Sequence, residues 1–262
     1  MPRTELLNVR ITAWENPHGF EGVQRLAYPI DRGEDWALAW PGTRRTWVVH
    51  LHGHGSMGDQ IFTRADIRDA WLATYRRLGF GVLSVNLRGN AWMCPAAAAD
   101  LHQLLAWARG QYDVPDFLFV SGSMGGTANL IYGILHPEDV RAMIALCPAT
   151  DIGAYARWCH RHPGGVIDEI YAAIVEAYGG TPEEQPAVYA AHNAVAHAAR
   201  LTMPLFVCHG DDDRIIPVEE SRRLAAVLTG ASTFTYLELP GGHHDSPLFG
   251  FDLGEWLERH AG

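Results

Sequence analysis

Apolar and polar positions change their period several times along the chain, and each change marks an element. Leu6 to Trp14 alternates as a half-buried strand does, and Gln24 to Tyr28 and Trp36 to Trp40 repeat the pattern across turn-rich segments holding Pro29 and Gly33. These three predict an antiparallel edge. Thr46 to His52 is instead a continuous β-branched and apolar run, as expected of a strand covered on both faces. From Asp59 the period becomes helical, with Ile67, Ala70, Trp71, Thr74 and Leu78 on one face, ending at Gly79.

Strands and helices then alternate: strand Phe80 to Asn86, helix Pro95 to Ala108, strand Phe117 to Ser121, a helix after Ser123 that stops at His136-Pro137, and strand Val140 to Cys147. Such alternation predicts βαβ units with right-handed crossovers and a parallel sheet clad on both sides. It lapses between Pro148 and Arg200, where three helices (Asp151 to His160, Val166 to Tyr178, Pro186 to Ala199) follow one another. A helical insertion of about 149–200, emerging at the carboxyl end of the sheet, predicts a cap over the crevice where such sheets bind ligands. Strand Pro204 to Cys208, helix Pro217 to Leu228, strand Thr233 to Leu239 and helix Pro247 to His260 complete one domain of 262 residues.

Composition narrows the chemistry. A formal net charge of -10, with cations scattered along the chain, argues against a nucleic-acid surface. No apolar run is long enough to span a bilayer, and the start MPRTELLNVRITAWENP lacks the apolar core of an export signal, so a cytoplasmic location is expected. All 20 cationic residues are Arg, which removes lysine-based nucleophiles and bases. Cys94, Cys147, Cys159 and Cys208 show no CxxC spacing and are expected to be free thiols.

The stretch Phe117 to Gly126, FLFVSGSMGG, reads as strand, tight turn and helix, with Ser123 at the turn. A serine there is held in an unusual backbone conformation that lifts its hydroxyl clear of the sheet, which requires small residues two positions away on each side; Ser121 and Gly125 are small. The following helix aims unpaired N–H groups and its positive dipole end at the same point. The stretch resembles the nucleophile elbow of the alpha/beta-hydrolase superfamily, Gly-x-Ser-x-Gly, with Ser121 in place of the first glycine.

Further segments carry the same resemblance. His209-Gly210-Asp211-Asp212-Asp213-Arg214-Ile215-Ile216-Pro217, after a strand, resembles the HGxxDxxVP signature of prolyl-oligopeptidase-like and related members; its register implies Asp213 as the triad acid, with Asp211 second. Leu239-Pro240-Gly241-Gly242-His243-His244-Asp245 follows the last strand. The family carries its base just after a glycine in this loop, which implies His243, with His244 second. The order Ser, acid, His is that of the superfamily.

An oxyanion hole needs two backbone donors. One is expected from the N–H of Met124, next to the nucleophile; the resemblance of Gly53-His54-Gly55 to the family's HGxG segment implies the N–H of His54 as the other. A metal reading of His52 and His54 lacks a third ligand at recognisable spacing. Asn86 to Trp92 resembles the DxRGxG loop, with Asn86 where Asp is usual and Arg88 as a structural anchor. Trp92, Met93, Tyr155 and Trp158 stand where they either line a pocket or pack.

The resemblance implies an alpha/beta-hydrolase fold and a serine esterase that cleaves a small-molecule ester through an acyl-enzyme, without metal or organic cofactor. A prolyl-oligopeptidase-like peptidase is the alternative reading, although that group usually carries a large N-terminal propeller; a ligand receptor with idle chemistry is a third.

Overall fold

The computed structural model describes residues 7–16 and 18–261; Leu6, where the first strand was expected to start, lies outside them. The alternating N-terminal segments form β1 (Arg10–Ala13), β2 (Gln24–Ile30) and β3 (Gly33–Trp40), paired antiparallel in sequence order. After β4 (Thr46–Leu51) come the short helices α1 (Gln60–Thr63) and α2 (Ala65–Ile67), a π-helical turn Arg68–Leu72 and α3 (Ala73–Arg77). Then follow β5 (Gly81–Val85), α4 (Pro95–Tyr112), β6 (Asp116–Gly122), α5 (Met124–Leu135) and β7 (Val140–Leu146). Helices α6 (Ile152–Arg161), α7 (Val166–Tyr178) and α8 (Pro186–Ala191) lie between β7 and β8 (Leu205–Gly210). The chain closes with α9 (Glu219–Leu228), β9 (Phe234–Leu239) and α10 (Leu253–His260).

Among the described residues, the strands form one sheet in the order β1-β2-β3-β5-β4-β6-β7-β8-β9. β3 meets β5 antiparallel, and every pairing beyond it is parallel. Strand β4 shows why its sequence is apolar throughout. Trp47, Val49 and Leu51 face the layer built by α4, α5 and α7, whereas Val48 faces the layer of α1 to α3 and α10. From β4 the chain crosses to β5 on one side and then to β6 on the other, so strand order reverses at β4, and a crevice opens there at the carboxyl ends of β4 and β6.

Three expected helices are shorter or broken. The helix from Asp59 is interrupted at Arg64, whose backbone is extended (φ -77°, ψ 111°); its guanidinium turns to Asp66 at 2.7 Å and Asp245 at 3.3 Å. The helix from Pro186 stops at Ala191, because Asn193 folds back to donate its side-chain amide to Asp151 Oδ2 at 2.7 Å. The last helix begins at Leu253 rather than Pro247: a 3-10 turn Ser246–Phe249 precedes it, and Asp252 caps the new start by accepting the Glu255 N–H at 2.9 Å.

The helices between β7 and β8 are tied to the sheet. Glu220 is 3% exposed, and its Oε2 accepts the N–H groups of Thr150 and Asp151, both at 3.0 Å. Tyr155 donates its hydroxyl to the Ile215 carbonyl and Tyr178 to that of Trp92, each at 3.0 Å. The cysteines are free and buried. No helix among the described residues is long and apolar enough to cross a membrane.

Candidate active site

The turn between β6 and α5 holds Ser123 at φ 57° and ψ -127°, a conformation that costs a non-glycine residue of order 1–3 kcal/mol. The surrounding structure enforces it. The Ser123 N–H donates to the Leu146 carbonyl at 2.9 Å, and its carbonyl accepts the Thr127 N–H at 2.9 Å. A Cβ on Gly125 would overlap the Leu51 carbonyl oxygen, so the helix start lies directly against the end of β4. Ser121, in place of the usual glycine, is fully buried and accepts the Leu51 N–H at 2.9 Å through its hydroxyl. Met124 opens α5, so its N–H has no acceptor within the helix.

Asp213 is buried in the loop after β8, and its carboxylate is fully engaged. Oδ1 accepts the N–H groups of Ile215 at 2.8 Å and Ile216 at 3.0 Å; Oδ2 accepts His244 Nδ1 at 2.7 Å and His209 Nε2 at 3.2 Å. Burial pushes this carboxyl up, but the bonds from His209, His244 and the backbone outweigh it and hold it well below the usual carboxylate range. Asp211 is exposed and accepts the Gly241 N–H at 2.6 Å. It supports the neighbouring loop and meets no imidazole.

The residue that pairs with Asp213 is His244, not His243. The loops after β8 and β9 are joined by the Asp212 N–H donating to the Gly242 carbonyl at 2.8 Å, and Gly210 and Gly242 approach so closely that a Cβ on Gly210 would overlap the Gly242 carbonyl. Held there, the chain turns His243 outward, with its N–H on Ser246 Oγ at 3.0 Å, and brings the next side chain inward. With Nδ1–H given to Asp213, the His244 Nε2 is left for a substrate or a hydroxyl. Burial would lower this imidazole, but the neighbouring Cys147 sulfur and the hydrogen bond to Asp213 raise it above its ordinary value.

Ser123 and His244 line one cavity of about 160 Å³, about the size that accepts a benzene-sized group. Its walls include Gly53 and His54 after β4, Gln60, Arg64, Ile67 and Trp71, Cys147, Ile215 and Leu248, and Val166 and Ile170 of α7. The loop after β4 is held by Gln60 Oε1, which accepts the Gly53 N–H at 2.9 Å, and by Asn90 Oδ1, which accepts that of Gly55 at 2.9 Å. Both ring nitrogens of buried His52 lie 2.8 Å from backbone carbonyls, those of Gly53 and Asn86, so the ring sits between two loops. Arg88 is an anchor, donating to Asp100 and, at 2.6 Å, to Asp31, while Asn86 donates to Asp35 Oδ1 at 2.8 Å.

A model of the BD-FAE family matches residues 41–228, from the approach to β4 to the end of α9. The chain belongs to the BD-FAE family. The match includes the elbow and Asp213 and ends before the loop of His244. Esterase LipC of Mycobacterium tuberculosis is 30% identical over an alignment of 218 residues that covers 70% of this chain and 51% of that protein; the chain spans about half the length of the curated relatives it matches. Among solved structures, the Pyrococcus furiosus esterase Pf2001 superposes with a TM-score of 0.70 at 15% identity, covering 97% of this chain and 98% of that one. Est1E from Butyrivibrio proteoclasticus gives 0.68 at 17%, covering 90% and 98%. The fold is that of the alpha/beta hydrolases.

Several residues of this BD-FAE site escape a sequence reading. His209 is fully buried; its Nε2–H donates to the Ile216 carbonyl at 2.9 Å and reaches Asp213, while Nδ1 accepts from Ser221 Oγ at 2.7 Å. Its place in the His-Gly pair before the acid is the one signal that points to it. Cys147, in the left-handed region at φ 40°, lies with Asp213 and His244 in a group whose polar atoms are within 4.8 Å of one another. Trp71 lines the cavity, whereas Trp92, Met93, Tyr155 and Trp158 do not. Trp92 and Tyr155 pack on each other, with ring centroids 5.6 Å apart.

Proposed function

We propose that the chain is a serine carboxylic ester hydrolase acting on small esters through an acyl-enzyme. The observation that carries this reading is the single cavity into which a strained elbow serine and an Asp213-paired imidazole both open. The esterase name of its M. tuberculosis relative supports it. His244 Nε2 takes the proton of Ser123 Oγ as the hydroxyl attacks the ester carbonyl, then returns it to the leaving alcohol; water clears the acyl group along the same path. Asp213 keeps the proton on Nδ1 and stabilises the imidazolium. The N–H groups of Met124 and His54 receive the oxyanion.

Helices α6 to α8 serve as a cap, since Val166 and Ile170 close one wall of the cavity. A free serine and histidine need not touch before substrate arrives, because such bonds tighten in the loaded enzyme. Ser123→Ala is expected to abolish both hydrolysis of short-acyl aryl esters and labelling by a fluorophosphonate. Retention of either would remove Ser123 from the nucleophile's role. Turnover of aminoacyl arylamides in preference to the aryl esters would favour a peptidase.

A further inference from the structure

His54 brings two N–H donors to the cavity region, and the mechanism above uses one of them, the backbone N–H. The residue lines the cavity with its imidazole half-buried. Trp92, whose side chain has no exposed surface, directs its indole N–H at His54 Nδ1, 3.3 Å away. An indole only donates, so Nδ1 is the acceptor and the ring proton sits on Nε2. That Nε2–H has no acceptor among the described residues, and it is not one of their buried, unpaired polar atoms, so it stays open to a ligand. Burial and, less strongly, the charge of His52 hold the imidazole below its ordinary value against the pull of Glu169; near neutral pH the ring is therefore uncharged and has this one proton.

The surroundings decide what kind of atom it would meet. An N–H needs an acceptor, which excludes an alkyl group and an ammonium. A carboxylate would meet like charge, since Asp245 stands on the cavity wall and Glu169 of α7 acts on the ring, while Arg64 is already held by Asp66 at 2.7 Å and Asp245 at 3.3 Å. A neutral oxygen accepts without adding charge. Its place is limited too: the ring and the N–H that receives the oxyanion belong to one residue, so the second oxygen stands within a few bonds of the reacting carbonyl.

We propose that the His54 side chain recognises a second, neutral oxygen of the substrate, its Nε2–H donating to an ether, hydroxyl or carbonyl oxygen beside the ester group. The inference rests on the esterase reading and names its substrate class: short esters with an acceptor oxygen on the α-carbon of the acid or the β-carbon of the alcohol. Trp92 is a positioning residue that acts through His54, keeping the proton on the outer nitrogen. Water also reaches a half-buried donor, so the preference is that of one ordinary hydrogen bond.

The test sets isosteres against each other in two arms. On the acyl side these are 4-nitrophenyl methoxyacetate, butyrate and methylthioacetate; on the alcohol side, 2-methoxyethyl, butyl and 2-(methylthio)ethyl acetates. The methylthio compounds keep most of the inductive effect of oxygen, but their sulfur is a weak acceptor. With each kcat/KM divided by the rate of hydroxide hydrolysis of the same ester, the methoxy compound should exceed both partners by about threefold to tenfold in one arm. His54→Phe, which keeps the backbone N–H, should bring that ratio to about one, and His54→Gln, whose amide N–H replaces that of the ring, should restore it. Nitrogen–proton NMR correlation on the isotope-labelled protein should find the His54 proton on Nε2. The arm that responds identifies the side of the ester that carries the oxygen. The wild-type ratios and the NMR need no variant, so they decide even where His54→Phe does not fold. Ratios below about threefold in both arms, a preference that survives His54→Phe, or a proton on Nδ1 would overturn the subsite with the esterase intact; no turnover of any of the esters would overturn both.

Discussion

The elbow and the histidine loop bring their side chains into one cavity by different means. Around Ser123 the geometry belongs to consecutive residues: a buried strand, a positive φ, small neighbours and a helix start, all within 116–126. Around His244 almost nothing is local. The loop takes its path from Asp211, Asp212 and Gly210 on another strand's end, through the bonds to Gly241 and Gly242 and the close approach of two backbones. A serine that must hold a strained conformation is best placed by its own flanking residues. An imidazole that meets a partner from elsewhere is placed by that partner.

The sharpest way to break this comparison is to change the two adjacent histidines separately. His244→Ala should lower kcat by roughly 10⁴-fold or more, whereas His243→Ala, exposed and facing away, should stay within about threefold. Equal losses would mean the loop can slip by one residue.

Next in size is a test of the elbow's rigidity. Gly125→Ala must displace the Leu51 carbonyl, so it should cost about 3 kcal/mol of stability, read as a lower midpoint in urea unfolding. An unchanged midpoint would mean the elbow is softer than its packing implies.

The smallest effect concerns pH. A base acts only when neutral, and His244 is raised by Cys147 and Asp213, so the acidic limb of kcat/KM should lie above the ordinary histidine value of about 6.5 and activity should still be rising there. Cys147→Ala removes one raising influence and should move that limb to lower pH. A limb at or below 6.5 in the parent, or one unmoved by the substitution, would show that the sulfur does not act on the imidazole.

Much of the fold was legible because period follows burial. The continuous run of β4 announced a strand between two layers, and the lapse of alternation after Pro148 announced the helices between β7 and β8. The helix break at Asn193 was not legible, since it follows from a side chain that finds a distant acid, Asp151; at Arg64 the guanidinium pairs first with Asp66, two residues on, and more loosely with Asp245. Asp213 is singled out among its neighbouring acids by the register of the segment's resemblance to HGxxDxxVP, and in the structure it accepts the N–H groups of Ile215 and Ile216.

By itself, the order of residues determined the strand-turn-helix that presents Ser123 and the layered sheet that supports it, because sterics and hydrophobic period act over a few neighbours. Only the tertiary structure decided which of His243 and His244 meets Asp213, and brought His209 and Cys147 to that pair. Those are outcomes of which segments meet in space, and a buried polar atom has no partner or lack of one until its surroundings are in place.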